Sequence, residues 1–302
     1  MNIDDIRHVL VVGAGTMGRQ IALRCALQGY EVTVYDVSPE ALRAAAEKVK
    51  ASAAQLVDQQ RSTRPQSDAA LSRINFTSKP ENAAKADLLS ESVPEDPDLK
   101  AKIFAQFNKL CPPRTIFTTN TSTLLPSMFS DATGRPAQFA ALHFHNVWDA
   151  NLVDIMPHPG TSPETVELLR AFAKRIGQIP LVLKKESAKY VYNAFAEAIN
   201  STALGLLTHG VASVEDIDRA FMIVTKARMG PFGGMDSVGL DTMWHVMDSA
   251  ARINHDARAQ AFADQFKKDY IDKGWLGAKT GRGFYTYPDP AYERRGFLTG
   301  EE

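Results

Sequence analysis

His143 and Asp154 have types and positions that suit proton transfer from a hydroxyl group. His143 follows an apolar run over 139–142 that predicts a strand, and ligands of open parallel sheets bind at the carboxyl ends of strands. Asp154 lies inside the apolar run 152–156, where a buried carboxylate is costly unless it is paired. Pairing would raise the basicity of the imidazole and fix its tautomer. We therefore predict that His143 is a general base supported by Asp154.

Two more polar residues could hold the oxygen of a substrate. Ser122 belongs to the segment 120–123, which follows the strand candidate Ile116–Thr119, but serine and threonine there are equally typical of a helix cap or a turn. Asn193 lies on a helix predicted over 187–207, about 150° from the centre of its apolar stripe. That face either meets solvent or lines a cleft between domains, and periodicity does not separate the two.

A glycine-rich segment near the N-terminus predicts a dinucleotide site. The strand candidate His8–Val12 runs directly into this segment, which has the G-x-G-x-x-G spacing and is followed by a helical pattern. Such glycines permit a tight turn and close approach of a pyrophosphate to a helix N-terminus. Asp36, after the second strand, could bond both ribose hydroxyls and repel a 2′-phosphate, so we predict NAD as the cofactor. The segment consists of Gly13, Ala14, Gly15, Thr16, Met17 and Gly18.

Other histidines leave alternatives open for the base. His145 and His158 are also candidates. His143 and His145, with Asp149 or Asp154, have the side-chain types that bind metals. We do not expect a metal, because no third ligand has a recognisable spacing and NAD chemistry needs none.

Strand and helix patterns alternate in the first half of the chain and then give way to helices. This order predicts an α/β Rossmann-type dinucleotide-binding domain over 1–185 and an all-α C-terminal domain over 186–302. The polar segment 59–68 is interpreted as a loop or helix break. Strands are predicted at His8–Val12, Glu31–Tyr35, Ile74–Thr77, Leu88–Glu91, Ile116–Thr119 and Phe139–Phe144, and helices at 17–27, 39–60 and 99–110.

Composition excludes several functional classes. The 302 residues include 34 basic and 35 acidic side chains, a balance that does not favour nucleic acid or an anionic membrane as a partner. No apolar run approaches the roughly 18 residues of a membrane span. The N-terminus lacks the features of a signal peptide, and two distant cysteines cannot form a disulfide framework. We therefore expect a cytoplasmic protein.

The chain resembles the 3-hydroxyacyl-CoA dehydrogenase family over almost its whole length. Eight segments carry the likeness in order: GAGTMG at 13–18, ESVPEDPDLK at 91–100, NTST at 120–123, LHFHN at 142–146, ASVEDIDRA at 212–220, MGPF at 229–232, VGLDT at 238–242 and KTGRGFYTY at 279–287. An ordered series of this kind is far more specific than the glycine motif alone.

The resemblance implies a hydride passed between C3 of a 3-hydroxyacyl-CoA and NAD. It implies that His143 takes the hydroxyl proton, that Asp154 stands where the family has a paired glutamate, and that Ser122 and Asn193 hold the oxygen. It also implies a homodimer built mainly through the helical domain. Further residues match positions that contact the cofactor: Glu95, Lys100, Asn120 and Asn146, together with Ser122.

Departures from the family pattern cluster around the substrate. The family's Phe-Phe-Asn-Pro becomes Phe-His-Asn-Val at 144–147, and the segment 59–68, where relatives place basic residues near CoA, offers only Arg61 and Arg64. The run Asn-Val-Trp at 146–148 also resembles diketoreductase, and gulonate dehydrogenases of the lambda-crystallin type share much of the pattern. A dehydrogenase or reductase of a CoA-free 3-hydroxy acid or diketo ester is the alternative, and a silent NAD-binding structural protein is less favoured.

Overall fold

The chain divides into two units, Met1–Tyr190 and Val191–Glu302. The structure is a computed structural model that describes residues 1–253 and 255–301. Over these residues, no helix is long and apolar enough to cross a membrane.

An eight-stranded sheet forms the centre of the first unit. Its strand order is β3-β2-β1-β4-β5-β6-β7-β8. Neighbouring strands are parallel except for β6 and β7, which pair antiparallel. The strands are β1 (His8–Val12), β2 (Glu31–Tyr35), β3 (Ile74–Thr77), β4 (Leu88–Glu91), β5 (Ile116–Thr119), β6 (Phe139–Phe144), β7 (Leu152–Pro157) and β8 (Ile179–Val182).

Helices cover both faces of this sheet because the strands carry apolar residues on both. Along β1, Val9 and Val11 join one core, while Leu10 and Val12 join the other. This follows from the alternation of side chains along a strand. The predicted Rossmann-type fold class is thereby confirmed. The helices are α1 (Thr16–Leu27), α2 (Pro39–Asp58), α3 (Arg64–Ser72), α4 (Pro97–Asn108) and α5 (Pro163–Arg175).

One segment of the first unit differs from its prediction. The polar stretch 59–68 is not wholly a loop, because α3 begins within it at Arg64. Thr63 accepts a hydrogen bond from the backbone of Gln66, and the Gln66 side chain accepts one from the backbone of Thr63. This reciprocal cap satisfies two N–H groups at the start of the helix. A helix can thus begin in polar sequence when its first turn is capped.

The second unit consists of helices around its own core. The helices are α6 (Val191–Thr208), α7 (Val214–Thr225), α8 (Pro231–Val238), α9 (Leu240–Ile253) and α10 (Ala257–Asp269). Asp218 is buried, and its carboxylate accepts hydrogen bonds from the backbone N–H groups of Phe232 and Gly233. These N–H groups lie in the first turn of α8 and have no carbonyl partner within that helix, so the Asp218 side chain of α7 caps it.

Helix α6 begins at Val191 and not at residue 187. Its apolar stripe is exposed: Phe195 is 63% exposed and Ile199 is 37% exposed. Asn193, on the opposite face, is only partly exposed. Periodicity had identified the two faces of this helix, but it could not show that the apolar one is exposed.

Candidate active site

The antiparallel pairing of β6 with β7 brings His143 opposite Asp154. The His143 Nδ1 atom lies 3.3 Å from Asp154 Oδ2, and Asp154 is fully buried. A carboxylate at this depth requires a donor, and the imidazole N–H supplies one. The hydrogen bond puts the proton of neutral His143 on Nδ1 and leaves the lone pair on Nε2.

A second histidine contacts the same carboxylate oxygen. His145 Nε2 lies 2.6 Å from Asp154 Oδ2, and the two imidazole rings meet edge to face with centroids 4.6 Å apart. His143 and His145 are two positions apart, so that both project to one side of the extended chain. His145, considered above as a rival base and as a side chain of metal-binding type, is therefore part of the cluster that contains His143 and Asp154.

The other nitrogen of His143 faces Ser122. The distance from Nε2 to the Ser122 hydroxyl oxygen is 3.3 Å. Glu95 holds the loop that carries this serine, because its Oε1 accepts hydrogen bonds from the backbone N–H groups of Ser122 and Thr123 and from the hydroxyl of Thr121. Burial alone raises the pKa of Glu95, but these bonds and nearby Lys100 hold it below its usual value. The anionic carboxylate thus orders the loop.

Tyr190 lies flat against His143, a contact that sequence reasoning missed. The two rings are nearly parallel, with an interplanar angle of 5° and centroids 4.2 Å apart. The tyrosine hydroxyl donates to the backbone carbonyl of Thr121 at 2.9 Å. In the sequence, Tyr190 counted only as one apolar residue of a helix, and no local signal marks it as a neighbour of the base.

The electrostatics of the cluster favour a neutral imidazole beside an ionised carboxylate. Burial lowers the pKa of His143, and the hydrogen bond to Asp154 offsets only part of that effect. Burial by itself raises the pKa of Asp154, but the hydrogen bonds from His143 and His145 outweigh it and lower that pKa. At neutral pH, His143 is thus able to accept a proton at Nε2.

His158, the third candidate base, is bound to backbone groups instead. Its Nε2 lies 2.9 Å from the carbonyl oxygen of Pro136, and its Nδ1 accepts the N–H of Gly160. Both ring nitrogens are therefore engaged in holding a turn.

The described part of the chain brings together one cluster of side chains that could bind a metal. It consists of His143, His145 and Asp154, with one ligand atom from each within 4.8 Å of the others. Both histidine nitrogens point at a single carboxylate oxygen. We interpret this geometry as hydrogen bonding, because the carboxylate oxygen stands where a shared ion would have to lie.

The glycine segment forms a tight turn between β1 and α1. A Cβ on Gly18 would lie 1.9 Å from the carbonyl oxygen of Gly13, so only glycine fits there. A Cβ on Gly15 would meet no atom within 4 Å. Gly15 precedes α1, no side chain caps that helix, and its first turn has no acidic residue. The free N–H groups and the helix dipole suit an anion.

Asp36 holds the start of this turn. Its Oδ2 accepts the N–H of Ala14 at 2.9 Å, and its Oδ1 accepts the N–H of Ser38 at 3.0 Å. The carboxylate is thereby held at the carboxyl end of β2, beside the glycine turn.

The remaining residues predicted to contact the cofactor make bonds within the first unit. Lys100 pairs with Glu91 at 2.7 Å, and both side chains are essentially inaccessible to solvent. Asn120 accepts the N–H of Phe144, and Asn146 accepts that of Trp148. These bonds order the ends of β5 and β6.

Asn193, which was predicted to hold the substrate oxygen, lies on α6 of the second unit.

Two family models together cover most of the chain. The 3-hydroxyacyl-CoA dehydrogenase NAD-binding domain matches residues 8–187, and the C-terminal domain of the same family matches residues 190–287. The chain belongs to the 3-hydroxyacyl-CoA dehydrogenase family. A probable 3-hydroxybutyryl-CoA dehydrogenase of Bacillus subtilis (strain 168) is 31% identical over 94% of this chain and 99% of its own length.

Solved structures of relatives agree with this assignment. The structure of a diketoreductase, an enzyme that acts on dicarbonyl compounds, superposes with a TM-score of 0.87. The two sequences are 40% identical, and the match covers 93% of this chain and 99% of the diketoreductase chain. The (S)-3-hydroxybutyryl-CoA dehydrogenase of Ralstonia eutropha is 31% identical with a TM-score of 0.80, covering 94% of this chain and 100% of its own.

As a member of the 3-hydroxyacyl-CoA dehydrogenase family, the protein is an NAD-dependent oxidoreductase that acts on a CH–OH group. The residues present fit the cofactor, because the open space at Gly15 and the uncapped N-terminus of α1 are what a pyrophosphate requires. NAD is the predicted cofactor, and the family model confirms it.

Gly15→Ala is expected to weaken NAD binding without harming the fold. The added methyl group meets no protein atom, but it occupies the space through which the pyrophosphate approaches the backbone. Since overpacking by one methyl group costs roughly 1–3 kcal/mol, we expect the NADH dissociation constant to rise by about tenfold or more in a fluorescence titration. Gly18→Ala is the contrasting variant, and it should lower the melting temperature. Unchanged NADH affinity in Gly15→Ala would contradict this placement of the pyrophosphate.

Proposed function

We propose that this protein is an NAD-dependent 3-hydroxyacyl-CoA dehydrogenase in which His143 is the general base. The observation that carries the proposal is the position of the His143 imidazole between a buried carboxylate at Nδ1 and the Ser122 hydroxyl at Nε2. This arrangement supplies a base whose tautomer is fixed and whose free lone pair faces a polar side chain.

In the oxidation direction, His143 Nε2 takes the proton of the substrate C3 hydroxyl. Bound NAD, held at the glycine turn before α1, would supply the acceptor for the hydride of C3. The imidazolium that results is stabilised by Asp154, which stays ionised. Ser122 donates a hydrogen bond to the substrate oxygen, and Asn193 is proposed as a second donor there. In reduction the same groups act in reverse, so that His143 protonates the oxygen.

A groove with two cationic side chains on the first unit supports a CoA thioester as the substrate. It has a volume of about 270 Å³ and lies between α1, α2 and the loop after β6. The two cationic side chains of its lining, Arg19 and Lys48, suit phosphate groups, and Trp148 offers an aromatic wall. The groove is lined by Thr16, Arg19, Gln20, Leu23, Lys48, Ala51, Ser52, Gln55 and Trp148.

A CoA-free dicarbonyl or 3-hydroxy acid is the second candidate substrate. The 40% identity to a diketoreductase favours it. The arginines expected near CoA are also paired with carboxylates: Arg61 with Asp149 at 3.1 Å, and Arg64 with Asp68 at 3.2 Å. Binding of a CoA phosphate by either arginine would compete with these pairs.

A comparison of turnover rates with different substrates separates the two candidate functions. We expect NADH consumption to be fastest with acetoacetyl-CoA, compared with free acetoacetate and a simple diketo ester. Lys48→Met should raise KM for the thioester by about 3- to 10-fold, which corresponds to roughly 1 kcal/mol of lost phosphate interaction, and should leave KM for CoA-free compounds unchanged. Lys50→Met, on the same helix but outside the groove, is the matched control. Faster turnover of the CoA-free compounds would establish the second candidate.

We also propose a homodimer that forms through the helical unit. The exposed apolar residues of α6 support it, since monomeric proteins rarely leave contiguous apolar faces uncovered. They include Val191, Phe195, Ile199 and Leu206. Sedimentation equilibrium tests the proposal, and a monomer at micromolar concentration would contradict it.

A further inference from the structure

His145 stands where the family motif has a phenylalanine, and it makes the shortest contact to Asp154 that the cluster contains. His145 Nε2 is 2.6 Å from Asp154 Oδ2, whereas His143 Nδ1 is 3.3 Å from the same atom. Asp154 Oδ1 is buried and accepts no hydrogen bond from the part of the chain that the structure describes. Two imidazole N–H groups therefore share one carboxylate oxygen.

We propose that His145 is a positioning residue that anchors the Asp154 carboxylate and divides its hydrogen-bonding capacity with His143. The inference rests on the proposed function, in which His143 is the base. His145 acts through Asp154, and no contact of His145 with the substrate is needed.

The unequal distances decide how the carboxylate is shared. A charge-assisted hydrogen bond of 2.6 Å is strong, while one of 3.3 Å is weak. The Asp154 carboxylate is consequently held more closely by His145 than by His143. Less of the negative charge of Asp154 is available to stabilise the imidazolium form of His143. A two-residue pair without His145 would let Asp154 move toward His143 and shorten their contact.

The other titratable groups around His143 do not share the Asp154 carboxylate with it. The titratable neighbours that face it are Asp154 on β7, His145 after β6, Glu95 before α4, and Tyr190. Burial raises the pKa of Tyr190, so it stays neutral. Glu95 is held ionised by the loop 121–123 and is unaffected by a change at 145. The low pKa of His143, which burial causes first and to which His145 contributes, agrees with this assignment.

The sharing of Asp154 between the two histidines determines how loss of His145 changes the pKa of His143. Removing the His145 donor leaves the full charge of Asp154 to His143 and so raises the pKa of His143. The base is then deprotonated only at higher pH. In His145→Phe, we expect the acid limb of kcat/KM for oxidation to move to higher pH by roughly half a unit to one unit. His145→Gln retains a side-chain N–H for Asp154 and should restore the wild-type limb.

Two readouts test the inference, and the second of them needs no substrate. The first is the pH profile of oxidation. The second is an NMR titration of histidines labelled with ¹³C in the ring, in which His143 is identified by the signal lost in His143→Gln. The inference is supported if the His143 pKa rises in His145→Phe and returns in His145→Gln. It is overturned if that pKa does not move, or if glutamine fails to restore it.

The same pair of readouts separates this inference from the proposed function. If the NMR pKa of His143 rises in His145→Phe while the pH profile stays in place, the sharing of Asp154 is supported but His143 is not the base. If His145→Phe does not yield folded protein, His145→Leu removes the donor with a smaller side chain and is measured in the same way.

Discussion

Replacing His143 with glutamine should lower kcat by about 10²- to 10⁴-fold, the usual contribution of a positioned general base. Glutamine retains an N–H that can reach Asp154, but it offers no lone pair of comparable basicity toward Ser122. The buried carboxylate therefore keeps a donor, and the variant should fold. Steady-state kinetics in both directions measure the loss, and fluorescence titration should find the NADH dissociation constant unchanged.

His8→Gln is the matched control for this experiment. His8 lies at the amino end of β1, where it bonds Thr33 at 2.8 Å, and the cofactor turn lies at the opposite end of that strand. Its replacement should leave kcat within a factor of about two, as for substitutions remote from the reacting groups. A His143→Gln enzyme with undiminished kcat would remove His143 from the mechanism and leave His145 as the base to be tested.

Lys100→Met should lower the free energy of unfolding by about 3–5 kcal/mol, because it leaves a buried carboxylate without its cation. Glu91 is 0% exposed and Lys100 only 1%. Their bond at 2.7 Å is joined by donors from Thr119 and the backbone of Val93. Denaturant unfolding of the NAD-free protein measures the change, so that any loss of cofactor binding does not enter the result.

The pH dependence of the Lys100→Met variant tests whether a carboxylate left without its cation is the cause, and a second substitution distinguishes Glu91 from Glu95, which lies 3.4 Å from Lys100. Burial already raises the pKa of Glu91, and loss of Lys100 raises it further. A carboxyl whose pKa is raised in the folded state favours folding at low pH, and that contribution is lost as the pH rises. The destabilisation should thus be larger at pH 8 than at pH 5. Adding Glu91→Gln to this variant should recover part of it.

A surface pair provides the control for the buried one. Lys50 bonds Glu47 at 3.0 Å, with both side chains largely exposed, and Lys50→Met should cost no more than about 0.5 kcal/mol. Similar effects of the Lys50 and Lys100 substitutions would mean that the Glu91–Lys100 pair contributes no more than a solvated one.

Much of the first unit could be predicted from local sequence. The strands around Val9, Val32 and Leu88 are short, apolar and β-branched or leucine-rich, and the glycine segment follows the first of them. Asp154 could be matched to a donor because a carboxylate inside an apolar strand must find one. The start of α3 was missed because polar residues are ambiguous until the reciprocal bonds of Thr63 and Gln66 are seen.

The neighbours of His143 illustrate why the rest of the site could not be predicted. His145 reaches Asp154 only because β6 and β7 pair antiparallel with His143 opposite Asp154, and a shift by one residue would turn these side chains to the other face. The approach of Tyr190 to His143 depends on the path of the chain after β8. Neither fact has a signature in residue spacing.

By itself, the sequence determined the α/β nucleotide-binding unit, the helical unit that follows, the cofactor and the type of reaction. The two units and the cofactor depend on local signals: glycines that permit close approach, strands with two apolar faces, and helix periodicity. The type of reaction follows from the resemblance of the ordered motifs to the 3-hydroxyacyl-CoA dehydrogenase family. Only the tertiary structure decided that Asp154 is shared by two histidines, that Glu95 orders the Ser122 loop, and that the apolar stripe of α6 is exposed. Each of these depends on which distant segments meet, and strand register and packing of the whole chain set those contacts.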